Sequence, residues 1–175
     1  MCQLPTDKKT ECTRACGNLD FFLIYNLVTL NIKLTGNSCR LTEKNISIAL
    51  AQEAAMTALE KCRADGYRVS VVVLDRGGNL KAVLRDDNAG LHTPDTAQRK
   101  AYTSLTFRIP TTMFAQRVLG NPALGTISEV IALGGGLPIQ SGTEVIAAIG
   151  VGGAPSGDAD ATCAQAGIDK IKDRL

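Results

Sequence analysis

From Leu41 to Leu175 the apolar residues fall into blocks whose period changes from helical to alternating and back. After Thr42, a good N-cap, apolar side chains recur at Ile48, Ala51, Ala55, Ala58, Leu59 and Cys62 until Gly66, which suits the residue just past a helix end. This spacing predicts a helix with a narrow, alanine-rich buried face. Arg68 to Asp75 is β-branched through its middle, and Arg76-Gly77-Gly78-Asn79 supplies residues able to take positive φ before a second run, Leu80 to Arg85. The two runs read as a β-hairpin. Thr93-Pro94-Asp95 is a helix start, with a capping hydroxyl, a proline at the first helical position and an acid in the first turn. That helix carries Ala97, Ala101 and Leu105 on one face as far as Phe107, Pro110 stops it, and Thr111 or Thr112 caps a short helix through Val118. Two further strands are predicted: Val130 to Leu133, running into Gly134-Gly135-Gly136, and Glu144 to Val151, ending at Gly152-Gly153. The last helix begins near Gly157 with Asp158 and Asp160 in its first turn, buries Ala161, Ala164, Ile168 and Ile171, and ends in Lys170, Lys172 and Arg174. Its charges complement the helix dipole at both ends.

The order helix, hairpin, helices, two strands, helix contains no series of strand-helix-strand crossovers. It predicts the α+β class, an antiparallel sheet with helices packed against it, and argues against a doubly wound nucleotide fold. Residues 1–40 are different in kind. They hold Cys2, Cys12, Cys16 and Cys39, four of the six cysteines, and an apolar run from Leu19 to Leu34 broken by Asp20, Asn26, Asn31 and Lys33. The run is too interrupted for a membrane span, which needs about 20 predominantly apolar residues. Lys8, Lys9 and Arg14 precede it as in an export signal, but the polar interruptions and the lack of a clear cleavage site make this the lesser reading. The expected division is therefore an N-terminal extension, 1–40, and one domain, 41–175, in the cytoplasm, with export as the alternative.

Composition narrows the function classes. Nineteen Lys and Arg against seventeen acids, scattered rather than clustered, lack the footprint of a nucleic-acid binder. With no Trp, three Tyr, four Phe and seventeen Gly, the core has to be built from small and branched aliphatic side chains. No Cys-x-x-Cys pair is present, so neither zinc nor a redox dithiol is signalled. Cys62 and Cys163 read as small buried helix residues in preference to a bridge.

Several phrases then belong together: Val72 through Leu80; Gly90-Leu91-His92-Thr93 leading to Arg99-Lys100-Ala101-Tyr102-Thr103; Leu133 through Ile139; and Ile149 through Ala154 followed by Ser156-Gly157, Asp160, Cys163, Ala164 and Gly167. This set resembles the GlcG and haem-binding-protein-S family, a domain also found at the C-terminus of PduO-type corrinoid adenosyltransferases. It covers about three quarters of the chain, residues 41 to 175. The resemblance implies a profilin-like layout with an antiparallel sheet of about five strands, symmetric homo-oligomers, and binding of haem or another tetrapyrrole. It points to a ligand-binding protein that stores, senses or slowly degrades haem, more than to a catalyst. Two alternatives stand beside it: an enzyme or accessory protein of glycolate or diol utilisation, and a structural oligomeric partner.

His92 is the sole histidine, placed where the positive end of a helix favours the neutral imidazole that ligates a metal. One imidazole is too few for structural zinc but enough for a haem iron. The expected cofactor site is His92, as iron ligand, with Thr93, Arg99, Lys100 and Tyr102. Arg99 and Lys100 suit haem propionates as charge-assisted donors, and Tyr102 is a second candidate iron ligand. The glycine segments do not have the spacing of a phosphate loop, and Asp158 and Asp160 at the next helix start would repel an anion. Asp75, Asp86 and Asp87 read as turn residues rather than as an acid–base pair, and no nucleophile elbow is present. Ala97, Ala101 and Leu105 present more aliphatic surface than a thin domain covers, which with the resemblance predicts self-association.

Overall fold

The computed structural model describes residues 42–175; the extension 1–40, with its export reading, lies outside the described residues. Helix α1, Ile48–Ala64, starts later than the sequence suggests. Its cap is Ser47, whose hydroxyl accepts the Leu50 amide, not Thr42. The reason is Ile46, which is buried in the core with Ala51, so that the residues just before and just after the helix start staple it. Asn45 Oδ1 accepts the Ile46 and Arg76 amides and holds the entering chain in place. Ile48 is consequently 51% exposed, outside the buried stripe of Ala51, Ala54, Ala55, Ala58, Leu59 and Cys62.

Strands β1, Ser70–Asp75, and β2, Leu80–Arg85, form the expected hairpin. Its turn is closed by Asp75, whose carboxylate accepts the Gly77 and Asn79 amides. Helix α2 covers Thr93–Phe107 and α3 covers Thr111–Gly120, followed by a 3-10 turn at Pro122–Thr126. The strand expected at Val130 to Leu133 does not form. There the Val130 carbonyl accepts from Arg99 and the Ile131 amide donates to Thr103 Oγ1, so this backbone is satisfied by α2 side chains instead of by a neighbouring strand. The third strand, β3, is Gly136–Ser141, and β4 is Glu144–Gly152. Helix α4, Gly157–Ile171, is capped by Ser156, and a last 3-10 turn covers Lys172–Arg174.

The four described strands make one antiparallel sheet in the order β2-β1-β4-β3. The edge position of β3 tolerates Pro138, which has no amide to donate. Helices α1 and α4 pack together over one face, covering Val71, Val73, Ile149 and Val151; α2 covers the other, over Val72, Leu74 and Ala148. Glycine sets the distance of α2 from the sheet. A Cβ at Gly150 would lie 2.0 Å from the Ala97 carbonyl oxygen, and one at Gly136 would lie 2.2 Å from that of Lys100. Ala97 and Ala101 are thus fully buried against strands, and the exposed aliphatic surface lies elsewhere, at Leu80, Val83, Leu91 and Leu119.

The α1–α4 contact is equally close, since a Cβ at Gly167 would meet the Ala54 carbonyl oxygen at 2.4 Å. There Cys62 and Cys163 are buried, as expected, but bonded to each other, with Cα atoms 5.5 Å apart and a separation of 101 residues. The sequence reading of two independent core thiols is corrected by this helix pairing, which only the fold brings about.

Candidate functional site

The loop between β2 and α2 is built to hold the start of α2 rigidly. Asp86, buried at its base, accepts two hydrogen bonds from the Arg63 guanidinium, the shorter 2.6 Å, with Arg68 3.8 Å away. The Arg63 hydrogen bonds hold the Asp86 carboxyl below the usual aspartate range against the opposing effect of burial. Arg85 Nη2 donates to the Ala89 carbonyl at 2.6 Å. Thr93 Oγ1 donates to the Gly90 carbonyl at 2.8 Å, so the 2.8 Å contact between Thr93 and Ser70 has the Ser70 hydroxyl as its donor.

Helical spacing sorts the five expected site residues into three directions. Thr93, Ala97, Lys100, Ala101 and Ser104 face the sheet. His92, Thr96, Arg99 and Thr103 form a second stripe, along which the segment from Val130 to Gly135 runs, tied down by Arg99 and Thr103. Leu91, Pro94, Gln98, Tyr102 and Leu105 form the third, on the side of β1 and β2, where Leu105 packs against the cluster of Val72 and Leu74. Val83 pairs with Val72 and Leu80 with Leu74, so both belong to the sheet face that α2 leaves partly open.

Of the five, His92 and Tyr102 are exposed and Arg99 is half-buried. His92 takes the N-cap position of α2 without a side-chain capping bond, and no described residue hydrogen-bonds its imidazole; the ring folds against Gly90, where a Cβ would lie 2.9 Å from Cε1. Tyr102 is 37% exposed. It lies ten residues from His92, about 15 Å along the helix axis at 1.5 Å per residue, and on another stripe, so one metal ion does not reach both.

Thr93 and Lys100 have their polar atoms turned inward. Lys100 is 3% exposed and its Nζ lies 2.6 Å from Oδ2 of Asp160, itself 2% exposed. Asp160 Oδ1 accepts the Ala154 amide at 3.0 Å. Burial pushes the Asp160 carboxyl up, opposed by the Lys100 ammonium and by the backbone amides of Ala154 and Gly153. The pair lies directly under Gly135, whose added Cβ would be 2.6 Å from Asp160 Cβ and 3.0 Å from Lys100 Nζ. Asp160 was expected only to complement the dipole of α4; its place in the glycine-rich phrase after β4 is the signal that bore on a deeper role. The ion pair fastens α2, the glycine run and the β4–α4 loop at one point.

A cleft of about 360 Å³ is lined by Lys44, Ile46, Ser141, Ile146 and Arg174, but Arg174 is already held by Glu53 at 2.6 Å. Among the described residues no group of three or more His, Cys, Asp or Glu is placed to hold a metal ion, and no helix is long and apolar enough to cross a membrane. A single imidazole with a cation two turns further along the same helix fits a ligand that brings its own metal and carboxylates, and does not fit an all-protein metal cage.

The chain and its fold are similar to known proteins. A family model described as "Haem degrading protein HbpS-like" matches residues 46–169. The structure of a double mutant of HbpS from Streptomyces reticuli is 39% identical, covers 77% of this chain and 91% of that one, and superposes with a TM-score of 0.73. Protein GlcG of Escherichia coli strain K12 is 30% identical over 111 residues, 63% of this chain and 83% of GlcG. The haem complex of PduOC, at 23% identity, 72% and 94% coverage and a TM-score of 0.66, shares the fold.

Proposed function

The chain belongs to the HbpS-like family, and on that premise we propose that it is a haem-binding module whose site is the α2 stripe of His92 and Arg99. The observation that carries this is the His92 imidazole, the sole one in the chain, solvent-facing and hydrogen-bonded by no described residue. Arg99 follows on the same stripe two turns later, about 10 Å along the axis at 1.5 Å per residue. His92 supplies a nitrogen ligand to iron, and the Arg99 guanidinium, steadied by the Val130 carbonyl at 2.9 Å, supplies charge-assisted hydrogen bonds to a propionate. Leu91, next to His92 in the chain and 89% exposed, offers apolar contact at the edge of the site. Thr93 and Lys100 act from beneath, through the Gly90 carbonyl and Asp160, to fix the loop and the helix that present the ligating residues. Tyr102 is the competing iron ligand on the far stripe.

When bound, haem supplies redox and oxygen chemistry at its iron; the protein residues bind and orient it. The haem-degrading description of the family and the haem complex of PduOC support this ligand over the small hydroxy acids or diols of the alternative reading. Storage, sensing and slow degradation are the roles open to such a module. Haemin titration of wild type, His92→Ala and Tyr102→Phe tests the assignment. His92→Ala is expected to move the Soret band and weaken binding about 10-fold, or 1.4 kcal/mol, with Tyr102→Phe unchanged. The reverse pattern would transfer the ligand role to Tyr102, and binding unaffected by either change would overturn the site.

A further inference from the structure

We propose that the Cys62–Cys163 bond is a permanent structural cross-link made in an oxidising compartment, so that this chain matures and works outside a reducing cytosol. The link joins the last turn of α1 to the second turn of α4, and both cysteines are fully buried. Three alternative fates for such a pair are opposed by the structure. A metal site needs further ligands, and no described His, Cys, Asp or Glu group gathers there. A reactive or signalling thiol has to be reached by its oxidant and reductant, and neither sulfur is exposed. Against two independent core thiols stands the close contact of α1 and α4 at Ala54, Ala58 and Gly167, which brings the two Cα atoms to 5.5 Å, within the span that a disulfide bridges.

The cross-link also falls where this fold has most use for it. Small side chains let α1 and α4 approach closely but bury little apolar area per residue, and the bond closes a long loop, with a sequence separation of 101. In forming it, two thiols give up two protons and two electrons to the disulfide of a thiol–disulfide oxidoreductase, which leaves as a dithiol. Such catalysts work in oxidising compartments, while cytosolic thiol pools keep comparable pairs reduced. The compartment is thus the exported alternative and not the cytoplasmic one, on grounds that owe nothing to residues 1–40 or to the haem reading.

The test uses the full chain from its own cells, quenched in acid, alkylated with N-ethylmaleimide in denaturant without reductant, and mapped by mass spectrometry. The expected result is a linked Cys62–Cys163 peptide in nearly every molecule, in a fraction separate from the cytosol. Maleimide on both residues, or a linked chain in the reducing cytosol, would overturn the proposal. A second measurement separates a permanent link from a switch: glutathione should reduce the native chain at least about 100-fold more slowly than the urea-unfolded chain, because attack requires the helices to open. Equal rates would overturn the structural assignment. Neither measurement depends on a variant that has to fold.

Discussion

A buried ammonium and carboxylate stabilise each other only while both are present, and Lys100 with Asp160 is the one such pair in which both side chains are almost fully enclosed among the described residues. Lys100→Met should cost about 3 kcal/mol or more, because it leaves a buried carboxylate without its cation. The pH dependence follows from the sign of the shift. Burial raises the Asp160 carboxyl, more so without Lys100, so the penalty grows as pH rises through that raised value and fades where the carboxyl is protonated. Urea midpoints across pH should show the variant approaching wild type in acid, and the double change Lys100→Met with Asp160→Leu should regain most of the loss at neutral pH. A deficit independent of pH would contradict the account. At this scale the sequence was partly legible. His92, Arg99 and Tyr102 stand where their helix phase puts them, but nothing in a 60-residue separation shows that Lys100 meets an acid rather than a ligand.

Between elements, glycine does what side chains do in larger cores. Helix α2 rests on β3 and β4 where Gly136 pairs with Gly150, and the Ala97 carbonyl occupies the place of a Cβ at residue 150. Gly150→Ala should therefore destabilise by about 3 kcal/mol, at the upper end of overpacking costs, since backbone rather than a flexible side chain has to give way. Gly120→Ala is the control: a Cβ there meets nothing within 4 Å. Equal thermal midpoints for the two variants would refute the close approach. The hairpin and the cores of the four helices were readable because local period and turn chemistry decide them. The strand at 130–133 was misread because an apolar run before three glycines looks extended, while the Val130 carbonyl and the Ile131 amide are in fact taken by Arg99 and Thr103. The Cys62–Cys163 bond was invisible for a related reason, as its two helices meet only in the folded chain; in the chain-entropy view a loop of that length contributes about 4–5 kcal/mol.

For the whole molecule, one compact unit spans Lys44–Leu175, and Asn45 and Ile46 anchor its start. A fragment from Leu41 should fold by itself, with the far-ultraviolet circular dichroism of a mixed α and β protein; an unfolded spectrum would place essential contacts in residues 1–40. Leu80 and Val83, exposed on the sheet face that α2 leaves partly open, are the aliphatic surface available for self-association, in place of the α2 alanines first expected to drive it. Light scattering at micromolar concentration should give a mass above the 18.5 kDa of one chain, and a strictly monomeric result would remove that expectation. The measurement that bears most directly on the central claim is the visible spectrum of the purified full-length protein titrated with haemin. Haem binding at the α2 site gives a saturable Soret band shifted from that of free haemin, with a sharp break at one haem per site. Absorbance that rises linearly without shift or saturation would contradict it.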